Sequence, residues 1–345
     1  MLNKRYQYDG KSIIPLKKEQ RRAKQEIIDR LLRGDYSLFS RNCLCDSNEF
    51  YPLSEKCAYG LPCSVVICQQ CGLIQVNPCP NKQTLDNFYA EYYGRLYGGR
   101  FDYESIFNEM FLRGKSIIEF IKTLNSTFNI NHTNVLDIGC NVGGILSAFK
   151  SIGCSVYGVD LESDAVDFAV SKGLLVEYGS AKDVKVTNKF DIIIFSHVME
   201  HFLDIQSELS IIKNLLKDDG ILYIEVPGIN SSLGNIQFDF LDFIEFDHLY
   251  YFSLDTLSNV MQLNGFSFVT GDELSGISIR SVFEKNNRWN AENEKIKNYY
   301  DDTLNRLIYL EKQFQKRKFR HYIFRILKAM PTNLKLKIKS IIKTR

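Results

Sequence analysis

Short apolar runs alternate with amphipathic stretches along the middle of this chain, between residues 133 and 228. Apolar residues at 135–138 lead into a glycine-rich turn, and the spacing after the turn predicts a helix over 145–149. A second apolar run ends at Asp160, and 190–195 is typical of a short buried parallel strand. The pattern continues with a helix and further strands, expected over 205–216, 219–228, 265–271 and 278–284. It therefore predicts an α/β domain on a mostly parallel sheet.

The turn after the first strand indicates which nucleoside the domain binds. A dinucleotide fingerprint, G-x-G-x-x-G, needs glycine at positions 139, 141 and 144, but position 141 is Asn. An Asn side chain there blocks the close backbone approach that a pyrophosphate requires. The pattern that remains consists of Asp137, Gly139, Gly143 and Asp160. Together with the segments FDIIIFSHVMEH from residue 190 and DGILYIEVPG from residue 219, this pattern resembles class I S-adenosylmethionine (SAM) methyltransferases.

The resemblance implies a Rossmann-like fold with a seven-stranded, mostly parallel sheet, and it implies SAM as cofactor. Asp160 would accept hydrogen bonds from the ribose hydroxyls, and Gly139 would let the backbone pass the methionine part. Asp137 would order the loop or bind the SAM amino group. The remaining contacts implied for SAM are Gly143, Leu161, Ser180, Ala181 and Ser196. The alternative interpretation is another Rossmann-like domain.

Six cysteines lie between residues 43 and 71, ahead of this domain. Cys43 and Cys45 form one close pair, and Cys68 and Cys71 form a second in a C-x-x-C-G knuckle. Two such pairs can complete a tetrahedral Zn²⁺ site without an open position for water, so the predicted metal is structural. The first pair has one spacer residue instead of two, which leaves three substitutes open, namely Cys57, Cys63 and Cys79. Buried reduced thiols are the alternative.

This cysteine segment resembles the N-terminal zinc-binding domain of bacterial sugar methyltransferases, in the stretches YGLP from residue 59, CQQCGLI from residue 68 and Asn77-Pro78. An aromatic run over 88–97 fits the same family's connector. The resemblance implies a sugar hydroxyl as acceptor, on a nucleotide sugar or a surface glycan. Relatives that methylate carbon carry a further C-terminal α/β domain, so O-methylation is favoured over C-methylation. Methylation of RNA or of another small molecule is a further alternative.

Three histidines are candidates for the general base, and two of them are favoured. His248 lies in a segment, EFDHLYYFS from residue 245, that resembles the "Y-x-E-H…YFS" segment of sugar methyltransferases, in which the histidine is the proposed base. Asp247 stands where that family has Glu, and Glu245 stands where it has Tyr. His201, just after the fourth strand, is the second candidate, and His197 is the third. A helix cap is the alternative role for His248.

Composition and charge limit the partners and locations that the chain could have. The chain has 345 residues and a net charge of +2, without an apolar run of membrane-spanning length. Its two ends, 1–34 and 310–345, carry about +6 and +11 and its middle about −15, by counting Lys, Arg, Asp and Glu. An acidic body argues against nucleic acid as partner. The basic tail, in which apolar residues begin at Phe319, predicts either peripheral membrane contact or a packing helix.

These observations predict five parts. They are a basic helical segment at 1–40, the zinc module at 41–80, a helical connector at 81–130, the methyltransferase domain at 131–288 and the basic helical tail at 289–345. The N-terminus is polar and has no apolar signal core, so a cytoplasmic location is expected, with peripheral contact at the inner face of a membrane as an extension. The oligomeric state stays open.

Overall fold

A computed structural model describes residues 1–97, 102–124, 130–185, 188–229, 239–273, 278–290 and 295–329, with side chains as far as 318. The part before the predicted catalytic domain contains four helices and five short strands in the described residues. In chain order they are α1 (Lys18–Arg33), β1 (Leu38–Phe39), β2 (Phe50–Lys56), β3 (Pro62–Cys68), β4 (Ile74–Val76), β5 (Cys79–Pro80), α2 (Lys82–Glu91), α3 (Tyr93–Tyr97) and α4 (Tyr103–Lys122).

The following part alternates strands and helices, as the hydrophobic pattern predicts. Its elements are β6 (Asn134–Ile138), α5 (Gly144–Ser151), β7 (Ser155–Asp160), α6 (Ser163–Ser171), β8 (Val176–Tyr178), β9 (Phe190–Ser196), α7 (Ile205–Leu215), β10 (Leu216–Pro227), β11 (Tyr250–Tyr251), α8 (Leu254–Leu263), β12 (Phe266–Glu273), β13 (Ser278–Lys285) and α9 (Tyr300–Ala329).

Seven of these strands form one sheet in the order β12-β13-β10-β9-β6-β7-β8. The pairs from β10 through β8 are parallel, whereas β13 is antiparallel to both β10 and β12. This order, with one antiparallel strand inserted near an edge, is that of the class I methyltransferase fold, so the predicted fold is confirmed. The strand order reverses between β6 and β9, and ligands of open α/β sheets bind at such a switch point, beyond the carboxyl ends of the strands.

The centre of the sheet is apolar on both faces. Residues 192–195 of β9 are fully buried, because helices cover both sides of a parallel sheet. One face packs against α4 and α5 around Ile145 and Phe149, and the other packs against α7 and α8 around Leu209 and Leu257. Burial on both faces fixes the ends of β6, β7 and β9, which carry the candidate site.

A second sheet, ordered β11-β4-β3-β2, joins the cysteine segment to the catalytic part of the chain. Strand β11 comes from the segment that contains His248, and Tyr250 pairs with Gln75 of β4. Cys68 and Leu73 belong to the same buried cluster as Leu249 and Phe252. The cysteine segment therefore shares a core with the acceptor-side segment 245–253.

The chain ends in a single long helix, α9, over the residues that the structure describes. Its first half packs against the N-terminal part, where Glu311 accepts hydrogen bonds from Arg5 and from Tyr6. The side chains of the predicted tail from Phe319 onward lie outside the described side chains, and its residues from 330 onward lie outside the described residues. Within the described part, no helix has both the length and the apolar character needed to cross a membrane.

Candidate active site

The loop between β6 and α5 has the backbone geometry that a bound nucleoside needs. Gly139 has a φ of 71° and donates its N–H to the carbonyl of Val159 at 2.8 Å. A Cβ at this position would lie 2.6 Å from Cγ2 of Val198, so only glycine fits both the left-handed φ and the close approach. Gly143, with a φ of 78°, is the N-cap of α5. The loop thus turns sharply at the switch point.

Asp137 is a buried carboxyl group without a hydrogen-bond partner in the described part of the chain. It is 1% exposed, and within the described residues neither of its oxygens has a hydrogen-bond donor. Burial raises its pKa well above the usual range, and the negative charge of Asp160 adds to this effect. A buried carboxyl group without a partner is costly unless a ligand satisfies it. The site therefore fits an ammonium group such as the amino group of SAM, as the resemblance implies.

Asp160 ends β7 and holds the same loop in place. Its Oδ2 accepts from the backbone N–H of Asn141 at 2.7 Å, and its Oδ1 accepts from that of Glu162 at 2.8 Å. Each carboxylate oxygen keeps a second lone pair for a ribose hydroxyl. Sequence reasoning missed Glu162, which accepts from the Tyr103 hydroxyl at 2.9 Å and brings helix α4 to this edge of the site.

The other residues expected around SAM lie at the ends of the same strands. Leu161 is 67% exposed beside Asp160, and Ala181 is buried directly after β8. Ser180 donates its hydroxyl and its backbone N–H to Asp183, so its side chain is committed to a turn, and adenine would meet backbone there. The buried hydroxyl of Ser196, at the end of β9, has no partner in the described part of the chain.

An Asp160→Ala variant is expected to bind SAM about 10–100-fold more weakly, because charge-assisted hydrogen bonds contribute about 1.5–3 kcal/mol. The measurement is calorimetric titration with SAM, followed by NAD. Asp167→Ala is the matched control, since Asp167 is exposed on α6 and lies away from the loop. Equal SAM affinity in Asp160→Ala and the control, or tight NAD binding by the unchanged protein, would contradict the assignment.

Four cysteines converge in the N-terminal part, and they are the four that the sequence predicts. The Sγ atoms of Cys43 and Cys71 are 3.5 Å apart, those of Cys45 and Cys68 are 3.6 Å apart, and all four lie within 4.8 Å of one another. Tetrahedral Zn²⁺ with Zn–S bonds of about 2.3 Å requires sulfur separations of about 3.8 Å, so the four residues fit the metal. The three possible substitutes named from the sequence lie outside this group.

The knuckle geometry around the cysteines explains why they converge. Gly72 has a φ of 78°, and its N–H donates to the carbonyl of Cys68 at 2.9 Å. A Cβ on Gly72 would lie 2.6 Å from the backbone of Tyr299. On the other side, the N–H of Asp46 donates to the carbonyl of Cys43 at 2.8 Å, which closes a tight turn despite the short spacer.

The structure brings together the three residues that the sequence proposes for catalysis, His201, Asp247 and His248. Nδ1 of His201 lies 3.3 Å from Oδ2 of Asp247 and 3.1 Å from its backbone oxygen. The rings of His201 and His248 meet edge to face with their centroids 4.8 Å apart. Asp247 is fully buried, and the hydroxyls of Tyr89 and Tyr97 both donate to its carboxylate.

The two favoured histidines differ in charge because their neighbours differ. Burial opposes the charge of His201, but Asp247 and Glu200 outweigh it and raise its pKa to about 9. For His248, burial lowers the pKa to about 4, and the positive charge of His201 adds to the effect. Burial would raise the pKa of Asp247, but hydrogen bonding and charge from His201 hold it at about 2. At neutral pH, His248 is therefore neutral and has a lone pair, whereas His201 is a cation.

His197, the third candidate, lies between two carboxylates at the end of β9. It has a φ of 59°, and its ring nitrogens lie 3.5 Å from Glu200 and 3.5 Å from Glu225. Burial opposes its charge, but the two carboxylates outweigh it and raise its pKa to about 9. Protonated His197 balances these carboxylates, so it lacks the free lone pair that a base needs. Sequence reasoning missed Glu225.

The helix-cap interpretation of His248 is wrong, because another residue caps the helix. The side chain of Ser253 accepts from the backbone N–H of Thr256, and α8 begins at Leu254. His248 lies before β11, with Nδ1 buried and without a partner in the described residues. Its side chain is 14% exposed. His248 is therefore available for a chemical role.

Aromatic rings extend this site in a row of four tyrosines, Tyr59, Tyr89, Tyr93 and Tyr97. Neighbouring centroids in the row are 5.0–5.5 Å apart, and Tyr89 contacts the ring of His201 at 6.4 Å. Three of the four come from α2 and α3, ahead of the catalytic part. The aromatic run over 88–97 was the signal for this row, but the sequence did not indicate its contacts with Asp247.

Comparisons with known proteins find relatives of part of this chain. A family model described as a methyltransferase domain matches residues 109–270. The ubiquinone biosynthesis O-methyltransferase of Glaesserella parasuis is 40% identical over 103 residues, which is 26% of this chain and 43% of that protein. The C-methyltransferase NovU of Streptomyces niveus is 28% identical over 143 residues, which is 39% of this chain and 33% of that protein.

The similarity to solved structures is low in both sequence identity and TM-score. Magnesium protoporphyrin IX methyltransferase from Synechocystis, solved with bound SAH, is 17% identical, with a TM-score of 0.43 over 59% of this chain and 100% of that one.

The ubiquinone biosynthesis O-methyltransferase of Bartonella tribocorum is 27% identical over 33% of this chain and 49% of that protein. The chain spans about half the length of the first curated relatives that it matches.

Proposed function

We propose that this chain, whose residues 109–270 form a SAM-dependent methyltransferase domain, methylates a sugar hydroxyl of a nucleotide sugar or of a surface glycan. The observation that carries the proposal is the neutral imidazole of His248 among a buried carboxylate, a charged histidine and a row of tyrosine rings. This arrangement can take a proton from a hydroxyl and can also hold a polyhydroxylated ring.

The SAM side of the site supplies binding and orientation. SAM, when bound, carries a methyl group on a sulfonium leaving group. Asp137 would pair with its amino group, because that carboxyl is buried without a partner. Asp160 would accept from the ribose hydroxyls with the lone pairs that the backbone N–H groups leave free. Asp137 and Asp160 would thus bind two different parts of SAM, which would hold the ligand in one orientation.

On the acceptor side, His248 would take the hydroxyl proton. A general base must be unprotonated, which for an imidazole means neutral, and it must be within reach of the proton that it removes. Asp247 and His201 hold the segment of His248 through their ion pair, and Tyr89 and Tyr97 fix Asp247 from the other side. His201 therefore acts in this scheme as a positioning cation and not as the base.

A sugar fits the acceptor side for two reasons. Carboxylates such as Glu245 accept hydrogen bonds from ring hydroxyls, and aromatic faces pack against the C–H faces of a sugar ring. Tyr59, Tyr93 and Tyr97 are half-buried and Tyr89 is 41% exposed, so the row keeps surface for such packing. The second candidate acceptor is a phenolic hydroxyl, because some relatives are named as O-methyltransferases of ubiquinone biosynthesis.

The proposal is tested by comparing surface glycans of the source cells with and without this gene. We expect one O-methylated sugar to disappear from the mass spectrum on deletion. It should return with the unchanged gene but not with a His248→Gln copy. Identical glycan spectra in all strains, together with a changed quinone spectrum, would contradict the sugar acceptor and favour the phenolic one.

Zinc is proposed as the structural metal of the N-terminal part. Cys43, Cys45, Cys68 and Cys71 would hold it as four thiolates, with no position left for water or substrate. It would stabilise the fold of the cysteine segment and thereby the second sheet, which contains β11. The Zn²⁺ would have no direct part in methyl transfer.

A further inference from the structure

A carboxyl group lies beside His248 that the proton transfer described above does not use. Oε2 of Glu245 is 3.6 Å from Nε2 of His248, three residues later in the same segment. The separation exceeds a hydrogen bond, but a movement of less than about 1 Å would close it. The side chain of Glu245 is 36% exposed, whereas that of His248 is 14% exposed. Of the two groups, Glu245 therefore has the greater access to solvent.

The carboxyl group at position 245 distinguishes this chain from the family that the segment resembles. In the sugar methyltransferases that the segment resembles, the corresponding residue is Tyr, which is a weak proton acceptor at neutral pH. A carboxylate exchanges protons with water readily, provided that one oxygen reaches solvent. The imidazole needs such a partner because Asp247, the nearest buried carboxylate, is already paired with His201 and two tyrosines.

The surroundings set the direction in which a proton would move. Burial raises the pKa of Glu245 to about 7, and Asp247 adds to this rise, whereas the pKa of His248 is about 4. Transfer of a proton from His248 to Glu245 would therefore lower the free energy. The charged and titratable groups that face the pair come from several elements. They are Cys57, Tyr59, Tyr93, Tyr97, His197, Glu200, His201, Asp242, Asp247 and Tyr251.

We propose that Glu245 receives the acceptor proton from His248 and passes it to solvent. The hydroxyl proton of the acceptor moves to the imidazole, which becomes a cation. The N–H bond then breaks as the proton moves to a Glu245 oxygen, which restores the neutral imidazole, and water finally takes the proton from the carboxyl group. Glu245 is a positioning residue in this scheme, because it acts through His248. The proposal rests on the function proposed above.

Two measurements test the relay, and the first needs no acceptor. In protein labelled with ¹⁵N-histidine and saturated with S-adenosylhomocysteine, NMR gives the rate at which the His248 ring proton exchanges with water. We expect Glu245→Gln to slow this exchange by at least about 10-fold and Glu245→Asp to restore part of it. Asp242→Asn is the matched control, since Asp242 is a nearby exposed carboxyl group, and should exchange as the unchanged protein does.

The second measurement is the pH dependence of kcat with a nucleoside-diphosphate hexose as acceptor. In the unchanged protein, kcat should rise as pH passes about 7, where Glu245 becomes ionised, and fall above about 9, where His201 loses its charge. Glu245→Gln should lose the rise near 7 and lower kcat at least about 10-fold with little change in KM. Unchanged proton exchange or an unchanged pH profile in Glu245→Gln would overturn the relay. Absence of methyl transfer by the unchanged protein would overturn the proposed function instead.

Discussion

A His248→Gln variant is expected to lose about 10²–10⁴-fold in kcat while it binds SAM with unchanged affinity. The reason is the neutral state of His248, whose low pKa of about 4 leaves its lone pair free at pH 7. Glutamine approximates the size of the imidazole but cannot take a proton. SAM affinity should be unchanged because Asp137, Gly139 and Asp160 belong to β6, to the loop after it and to β7, and not to the segment of His248.

The measurement combines single-turnover kinetics with calorimetry, and thermal unfolding separates a chemical effect from misfolding. His132→Gln is the control, because His132 is exposed in the loop before β6. A His248→Gln protein that keeps near-normal kcat would show that the proton leaves by another route. A protein that loses SAM affinity in parallel with kcat would also contradict the assignment.

Replacement of Cys68 by Ser is expected to remove Zn²⁺ and to lower Tm by more than about 5 °C. Four thiolates form a closed tetrahedral site, and apparent zinc affinities in zinc-finger peptides reach about 10–16 kcal/mol. Loss of one ligand should loosen the turn at Gly72 and the second sheet behind it. SAM affinity should change less than stability, because the cysteine group and the loop after β6 share no side chain.

Elemental analysis of purified protein measures the metal directly, and we expect about one Zn²⁺ per chain. Cys79→Ser is the matched control, since Cys79 is a buried thiol outside the group of four, and it should keep the metal. Purified unchanged protein without zinc, or Cys68→Ser protein with full zinc content, would contradict the proposed site.

The catalytic fold was predictable because its signals are local. The apolar run before Gly139, the left-handed turn and the acid at the end of β7 lie within one βαβ unit. Burial on both faces of a parallel sheet leaves a continuous apolar sequence, as in β9. The four cysteines were predictable for a similar reason, since one short turn contains Cys43 and Cys45 and another contains Cys68 and Cys71.

The acceptor side was less predictable because its properties depend on distant neighbours. Tyr89 reaches Asp247 across 158 positions of sequence. The opposite pKa directions of His201 and His248 follow from which ring contacts Asp247, and no sequence pattern encodes that choice. The pairing of β11 with the cysteine segment was missed because a two-residue strand has almost no hydrophobic periodicity.

The most direct test of the central claim is transfer of a labelled methyl group. Purified protein is incubated with SAM that carries a CD₃ group and with a mixture of nucleoside-diphosphate hexoses, free hexoses and catechols, and the products are fragmented by mass spectrometry. The account predicts one CD₃ group on a hydroxyl oxygen of a hexose, with no transfer by His248→Gln. Label on a ring carbon or on a catechol oxygen alone would contradict it.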